Sequence, residues 1–283
     1  MRLIALLSAV VFAACGPSVT GDDQADDGEG EGDGETFASC KHIDVVISVD
    51  NSGSMREEKD ALRDIAFPGF AAALKNVAGG LDDFRVGVLD ACPAPGTFHT
   101  RGLGGACNFS SGTAWMESTS PALADEFKCV GDIDSTGTMC AGNNDDEQPA
   151  SAAASALRLA ASVGVPNSGF VRDDALLVVI AITDEDEQPT PAGSAQDVYD
   201  RLVAIKGGDV NRMVFLGIGG ASDCANGAYG SADKATKLKA VTDKFIANQR
   251  GVFWDLCDGN LDQGLTQALT TIETACEQLP PLL

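Results

Sequence analysis

Asp50, Ser52 and Ser54 place one carboxylate and two hydroxyls at alternate positions in the run Ile43-Asp44-Val45-Val46-Ile47-Ser48-Val49-Asp50-Asn51-Ser52-Gly53-Ser54-Met55. Three hard oxygens so close in sequence can converge on one small cation. Mg²⁺ takes oxygen ligands in octahedral geometry and keeps water or a partner's oxygen in the remaining positions. A purely structural reading also fits: Asp50 ends a strand, and Ser54-Met55-Arg56-Glu57 has the pattern of a capping box. Asp184-Glu185-Asp186-Glu187 is a second acidic group, either an extension of the cation site or a solvated loop. Asp132-Ile133-Asp134-Ser135-Thr136-Gly137 opens like an EF-hand loop, but the twelfth position is Asn143 where a bidentate Glu is needed.

The elements that must position these groups follow from hydrophobic periodicity. Short Val- and Ile-rich runs predict strands over His42–Val49, Phe84–Asp90, Ala175–Thr183, Arg212–Gly219 and Gly251–Leu256. Near-continuous apolar character means that both faces of each strand are covered, as in a parallel sheet between two helix layers. Helices are expected over Met55–Val77 with a bend at Pro68, and over Pro149–Val163, Ala195–Ile205, Lys234–Gln249 and Leu261–Gln278. The fold class is therefore α/β, a doubly wound, mostly parallel sheet with helices on both faces. Asp50 then falls at the carboxyl edge, where open α/β sheets bind ligands. Residues 91–147, rich in Gly, Ser and Thr and holding four cysteines, read as an insertion after the second strand, with a short strand near Trp115 and a short helix over Pro121–Lys128.

The D-x-S-x-S run, the strand before it and the helix start after it resemble the metal-ion-dependent adhesion site of the von Willebrand factor type A (vWA) family. The resemblance implies a Rossmann-like fold over residues 40–279. It also implies that the two serines coordinate a divalent cation directly, Mg²⁺ first with Mn²⁺ or Ca²⁺ as alternatives, while Asp50 acts mostly through water. The family draws a further aspartate from a strand ending in T-D, a role that falls to Asp184 after Leu176-Leu177-Val178-Val179-Ile180-Ala181-Ile182-Thr183. It also draws a threonine from a second loop, and here the chain departs from the pattern. Glu147 stands near that place, and Thr136 or Thr138 could reach in from farther back. The implied function is adhesion-type binding of a protein or other extracellular ligand that supplies a carboxylate to the metal.

Forty-two acidic residues against 19 Lys and Arg, a net charge of −23 over 283 residues, argue against binding nucleic acid and favour cations. Met1 to Cys15 read as an export signal, residues 1–14, whose Ala13-Ala14-Cys15 resembles the bacterial lipobox with Cys15 acylated. Residues 15–39 are Gly, Asp and Glu with almost nothing apolar, a tether that spans about 25–30 Å as a coil and at most roughly 80 Å when stretched. Gly16 lacks the aspartate that resembles an inner-membrane retention signal, so the expected location is the outer membrane of a Gram-negative cell. Eight further cysteines in an exported chain predict disulfides. The vWA resemblance, in which the ends of the core lie together, implies Cys40–Cys276. Cys224 and Cys257 both follow late strands at one sheet edge, and short loop closure suggests Cys92–Cys107 and Cys129–Cys140.

Enzymatic readings lack a centre: there is no G-x-S-x-G elbow, P-loop or H-E-x-x-H, and the two histidines are His42 at a strand start and His99. A phosphotransfer site on Asp50 is the nearest enzyme, although Ser52 stands where a second carboxylate is expected. A structural envelope protein with a vestigial metal site is the other alternative. The expectation is a binding module and not an enzyme.

Overall fold

The computed structural model describes residues 40–133 and 147–279, apart from 78, 79, 82, 95, 165 and 189–192. The expectations at residues 1–39, with Cys15, and at Thr136, Thr138, Cys140 and Asn143 lie outside the described residues. All described residues belong to the compact unit Phe37–Leu283.

The elements run β1 (His42–Val49), α1 (Arg56–Ala61), a π-helical turn (Leu62–Ala66), α2 (Phe67–Leu74) and β2 (Asp83–Asp90). Then come β3 (Arg101–Gly102), β4 (Gly105–Ala106), β5 (Met116–Glu117), α3 (Leu123–Gly131), α4 (Pro149–Ala160) and β6 (Leu176–Ile182). The chain continues through α5 (Ala195–Ala204), β7 (Met213–Gly219), β8 (Cys224–Gly227), β9 (Gly230–Ala232), α6 (Thr236–Ile246), β10 (Gly251–Asp255) and α7 (Leu261–Glu277). The expected bend at Pro68 is instead a π turn just before it, closed by Phe67 N–H donating to Leu62 O. Proline lacks an N–H and its ring clashes with the carbonyl four residues back, so the widened turn takes up the misfit while the helix continues.

The sheet order is β10-β7-β6-β1-β2-β5, all parallel except the short edge strand β5, which runs antiparallel to β2. Alternation along the central strands feeds two cores, as period-2 geometry requires. Ile43, Val45, Ile47 and Val49 of β1 and Val178, Ile180 and Ile182 of β6 pack with Phe67, Phe70 and Leu74 of α2 and Leu265 and Ile272 of α7. Val46, Leu177, Val179 and Phe215 face the opposite way, onto Leu157 of α4, Leu202 of α5 and Phe245 of α6. Ala150, Ala152, Ala153, Ala154 and Ala156 let α4 lie close on that face. Both faces are covered, and strand direction in the order reverses its progression between β1 and β6, the switch point at which such sheets bind ligands.

Disulfides join Cys40 to Cys276, across 236 residues, and Cys224 to Cys257. The expected Cys92–Cys107 and Cys129–Cys140 pairs are corrected: Cys107 is bonded to Cys129. Cys92 is disulfide-bonded as well. Short-loop preference misled because doubling a loop costs only about 0.6 kcal/mol, less than tertiary packing decides. The β3–β4 hairpin lies against α3, with the Gly102 backbone so near the Cys129 carbonyl that any Cβ there would overlap it. Cys107 N–H donates to Thr100 O at 2.8 Å, which fixes that cysteine beside α3. The β8–β9 hairpin was not expected. Among the described residues no helix is long and apolar enough to cross a membrane.

Candidate metal centre

β1 and β6 end level, since Val49 pairs with Ile182, and Asp50 N–H extends the ladder by donating to Ile182 O at 2.9 Å. This registry brings Asp50 and the Thr183-Asp184 pair to one point of the carboxyl edge. Asp50 is fully buried, and its carboxylate accepts from Ser52 N at 2.8 Å and from Thr183 Oγ1 at 2.8 Å. The first bond curls the loop back so that Ser52 Oγ lies 2.8 Å from Ser54 Oγ. Ser54 in turn hydrogen-bonds the Asp184 carboxylate. The structure therefore gathers Asp50, Ser52, Ser54 and Asp184 into one cluster. The capping-box alternative is corrected: Met55 holds the N-cap position of α1 without a side-chain cap, because the Ser54 hydroxyl turns toward Ser52 and Asp184.

Electrostatics in the cluster are unfavourable for anions. Burial raises the Asp50 pKa above the usual carboxylate value despite its hydrogen bonds. Burial, reinforced by the Asp50 charge, pushes Asp184 up to about 6. Asp184 Oδ1 is buried and has no hydrogen-bond partner among the described residues. A buried carboxylate oxygen without a donor costs free energy unless something positive meets it. Two carboxylates and two hydroxyls, all hard oxygens, fit Mg²⁺ or Ca²⁺ better than a softer ion. Among the described residues there is no group of three or more His, Cys, Asp or Glu that could hold a metal. A donor set built half from serine hydroxyls lies outside that pattern.

The other candidates are disposed differently. Glu147 is buried at the same edge, its backbone paired with Gln188 on the loop that follows Asp184, while Gln148 N–H donates to Ala91 O beyond β2. The acidic loop after β6 is neither a second cation site nor a solvated run. Asp186 accepts from Lys237 N and Leu238 N at the start of α6. Glu187 accepts from Ala150 N at 2.6 Å and Ser151 Oγ at 2.9 Å at the start of α4. Only Asp184 of the four joins the cluster. Asp132, from the EF-hand-like stretch, pairs with Arg63 at 3.0 Å. His42 pairs with Asp174 at 2.6 Å, and His99 with Asp90 at 3.1 Å.

Sequence reasoning missed two residues. Lys59 is buried under the loop, with Nζ donating to Asn51 O at 3.2 Å and to Ser52 O at 3.1 Å, and burial lowers its pKa. Thr183, noted only as half of the T-D pair, donates to Asp50 and orients that carboxylate. A threonine directly before an aspartate at a strand end was the available signal for the second.

No family model matches the chain, and no curated protein matches it. Solved structures similar to it include proximal thread matrix protein 1 from the mussel byssus, 14% identical over 82% of this chain and 48% of that one, with a TM-score of 0.49. Another is the manganese-loaded TRAP protein of Plasmodium vivax, 12% identical over 84% of this chain and 74% of that one, with a TM-score of 0.39. The chain thus spans about half the length of the first, and similarity at this level leaves the site to be judged on its own chemistry.

Proposed function

We propose that the chain is an exported binding module of the vWA type that coordinates a divalent cation through Asp50, Ser52, Ser54 and Asp184 and uses it to bind an extracellular ligand. The observation that carries this reading is the buried, unpartnered Asp184 Oδ1 beside the Asp50 carboxylate at the switch point of the sheet. A bound Mg²⁺, or Mn²⁺ or Ca²⁺ in its place, would supply an attachment point for a carboxylate of a protein or other partner. The chain's own residues do the positioning: Thr183 and the Ser52 amide aim Asp50, and Lys59 holds the loop by its carbonyls. Glu147 serves as the second-loop oxygen in place of Thr136 or Thr138. The reading is of a binder and not an enzyme. It places the module on the outer membrane of a Gram-negative cell, carried by lipidated Cys15 and the tether to residue 39; incorporation of labelled palmitate at Cys15 tests that half.

The oxygens converge only in the folded chain, so a cation binds the native state alone and stabilises it by about 2.7 kcal/mol at one hundred times Kd. At roughly 2–4 °C per kcal/mol for a domain of this size, saturating Mg²⁺, Mn²⁺ or Ca²⁺ should raise the melting temperature by about 5–10 °C over EDTA. Ser52→Ala should erase most of the shift. A wild-type protein that melts identically with millimolar cation and with EDTA would falsify the reading.

A further inference from the structure

Glu58, in the first turn of α1, is only 1% exposed. A glutamate there would ordinarily face water, yet its Oε2 is buried with no hydrogen-bond partner among the described residues. Lys59 Nζ, bound to Asn51 O and Ser52 O, draws this first turn down onto the Asp50–Ser54 loop. The same neighbourhood holds the unpartnered Asp184 Oδ1. We infer that Glu58 is a third carboxylate of the cation site, its Oε2 meeting the ion directly or through one bound water. The inference rests on the metal-binding reading above and adds a residue to it.

Charge supports the assignment. Asp50, Asp184 and Glu58 against Lys59 leave two uncompensated negative charges in a buried cluster, which one divalent cation cancels. Burial pushes Glu58 up to about 7, and the charges of Asp184, Glu57 and Asp50 add to the rise, so the three carboxylates lie within one electrostatic neighbourhood. Lys59 does not serve as a partner for them in the way a salt bridge would, because its donors are spent on backbone carbonyls. Two orphaned carboxylate oxygens from separate elements, β1's following helix and the loop after β6, are better explained by a shared positive ligand than by two unrelated defects.

The test is calorimetric titration of the folded, oxidised full chain with Mg²⁺, Mn²⁺ and Ca²⁺ at fixed pH. Glu58→Gln keeps the shape and should weaken binding by about 10–100-fold, the usual loss for a group that supports a metal's ligands. Glu57→Gln, an exposed neighbour of the same charge, should change it far less. Circular dichroism of each variant checks that the fold is intact, and Glu58→Asp, with the carboxylate drawn back, should fall between wild type and Glu58→Gln. Unchanged cation affinity in Glu58→Gln, with binding abolished in Ser52→Ala, would overturn the inference and leave the proposed function standing. Equal weakening by Glu57→Gln would reduce Glu58 to a general charge effect and also overturn it. Absence of binding by the wild type would remove the metal reading itself.

Discussion

At the amino ends of β1 and β2, Asp44 is fully buried and its carboxylate accepts from Arg172 N at 2.7 Å and Arg172 Nε at 2.9 Å. Arg172 also pairs with Asp83, and Asp174 pairs with His42. At the carboxyl ends of the same sheet, Asp50 and Asp184 are equally buried but meet only hydroxyls and an amide, and one oxygen of Asp184 meets nothing among the described residues. The first arrangement satisfies anions with the chain's own cation and has no room for another. The second leaves them uncompensated, which a protein tolerates where an external cation completes the set. Buried acid alone is therefore uninformative about function; what distinguishes the two ends is whether a side-chain cation is in place.

The largest effect expected from breaking this contrast is at the amino end. Arg172→Met keeps the bulk of the stem and removes the charge, leaving Asp44 buried without its partner. Loss of one member of a buried pair costs about 3–5 kcal/mol, so chemical denaturation should show that loss, with cation affinity at the far edge unchanged. A variant as stable as wild type would mean that Asp44 is hydrated or protonated at no cost, and the contrast between the ends would collapse.

How far each end could be read from sequence differs for the same physical reason. The strand His42–Val49 was legible to the residue, because a continuous β-branched run buried on both faces has few other homes. Asp50, Ser52 and Ser54 were legible because their convergence is local, set by a loop of five residues. Asp184 lay far along the chain and was reached only through family resemblance. Glu58 and Lys59 sit in Arg56-Glu57-Glu58-Lys59-Asp60, which reads as a solvated helix start, and only the tertiary placement of α1 turns two of its charges inward. The β8–β9 hairpin escaped for a similar reason. Its residues show no alternation, and its position is held by Cys224–Cys257 and by Ala228 N–H donating to Cys257 O.

Glu187 offers an intermediate case, an acid at the carboxyl edge whose oxygens are both met, but by neutral donors from α4. Burial pushes its pKa from 4.5 up to about 7. The folded chain therefore holds the proton more tightly than the unfolded one, and this group's contribution is present below pH 4.5 and lost as pH rises through 7. Glu187→Gln has no charge to bury. Its stability relative to wild type should climb by about 3 kcal/mol between pH 4 and pH 8, measured by denaturant unfolding in EDTA. A difference that stays flat across that range would place a compensating positive charge near Glu187 and align it with the amino end.

The smallest effect, and the sharpest on the comparison, is Asp184→Asn in the absence of metal. If Asp184 were a structural acid like Asp44, neutralising it would destabilise the chain, as Arg172→Met does from the other side of a pair. The cluster argues for the opposite sign: Asp184 faces the like charge of Asp50, carries an orphaned oxygen and keeps a hydrogen bond from Ser54 that an amide oxygen can also accept. Removing its charge relieves repulsion and loses little. In EDTA at pH 8 the variant should match wild type or exceed it by about 1 kcal/mol, a gain of roughly 2–4 °C. On adding Mg²⁺ the order should invert, because wild type gains the cation's stabilisation and the variant does not. A variant that melts lower than wild type in EDTA would mark Asp184 as part of the fold's own scaffolding, and the two ends of the sheet would then differ in geometry but not in purpose.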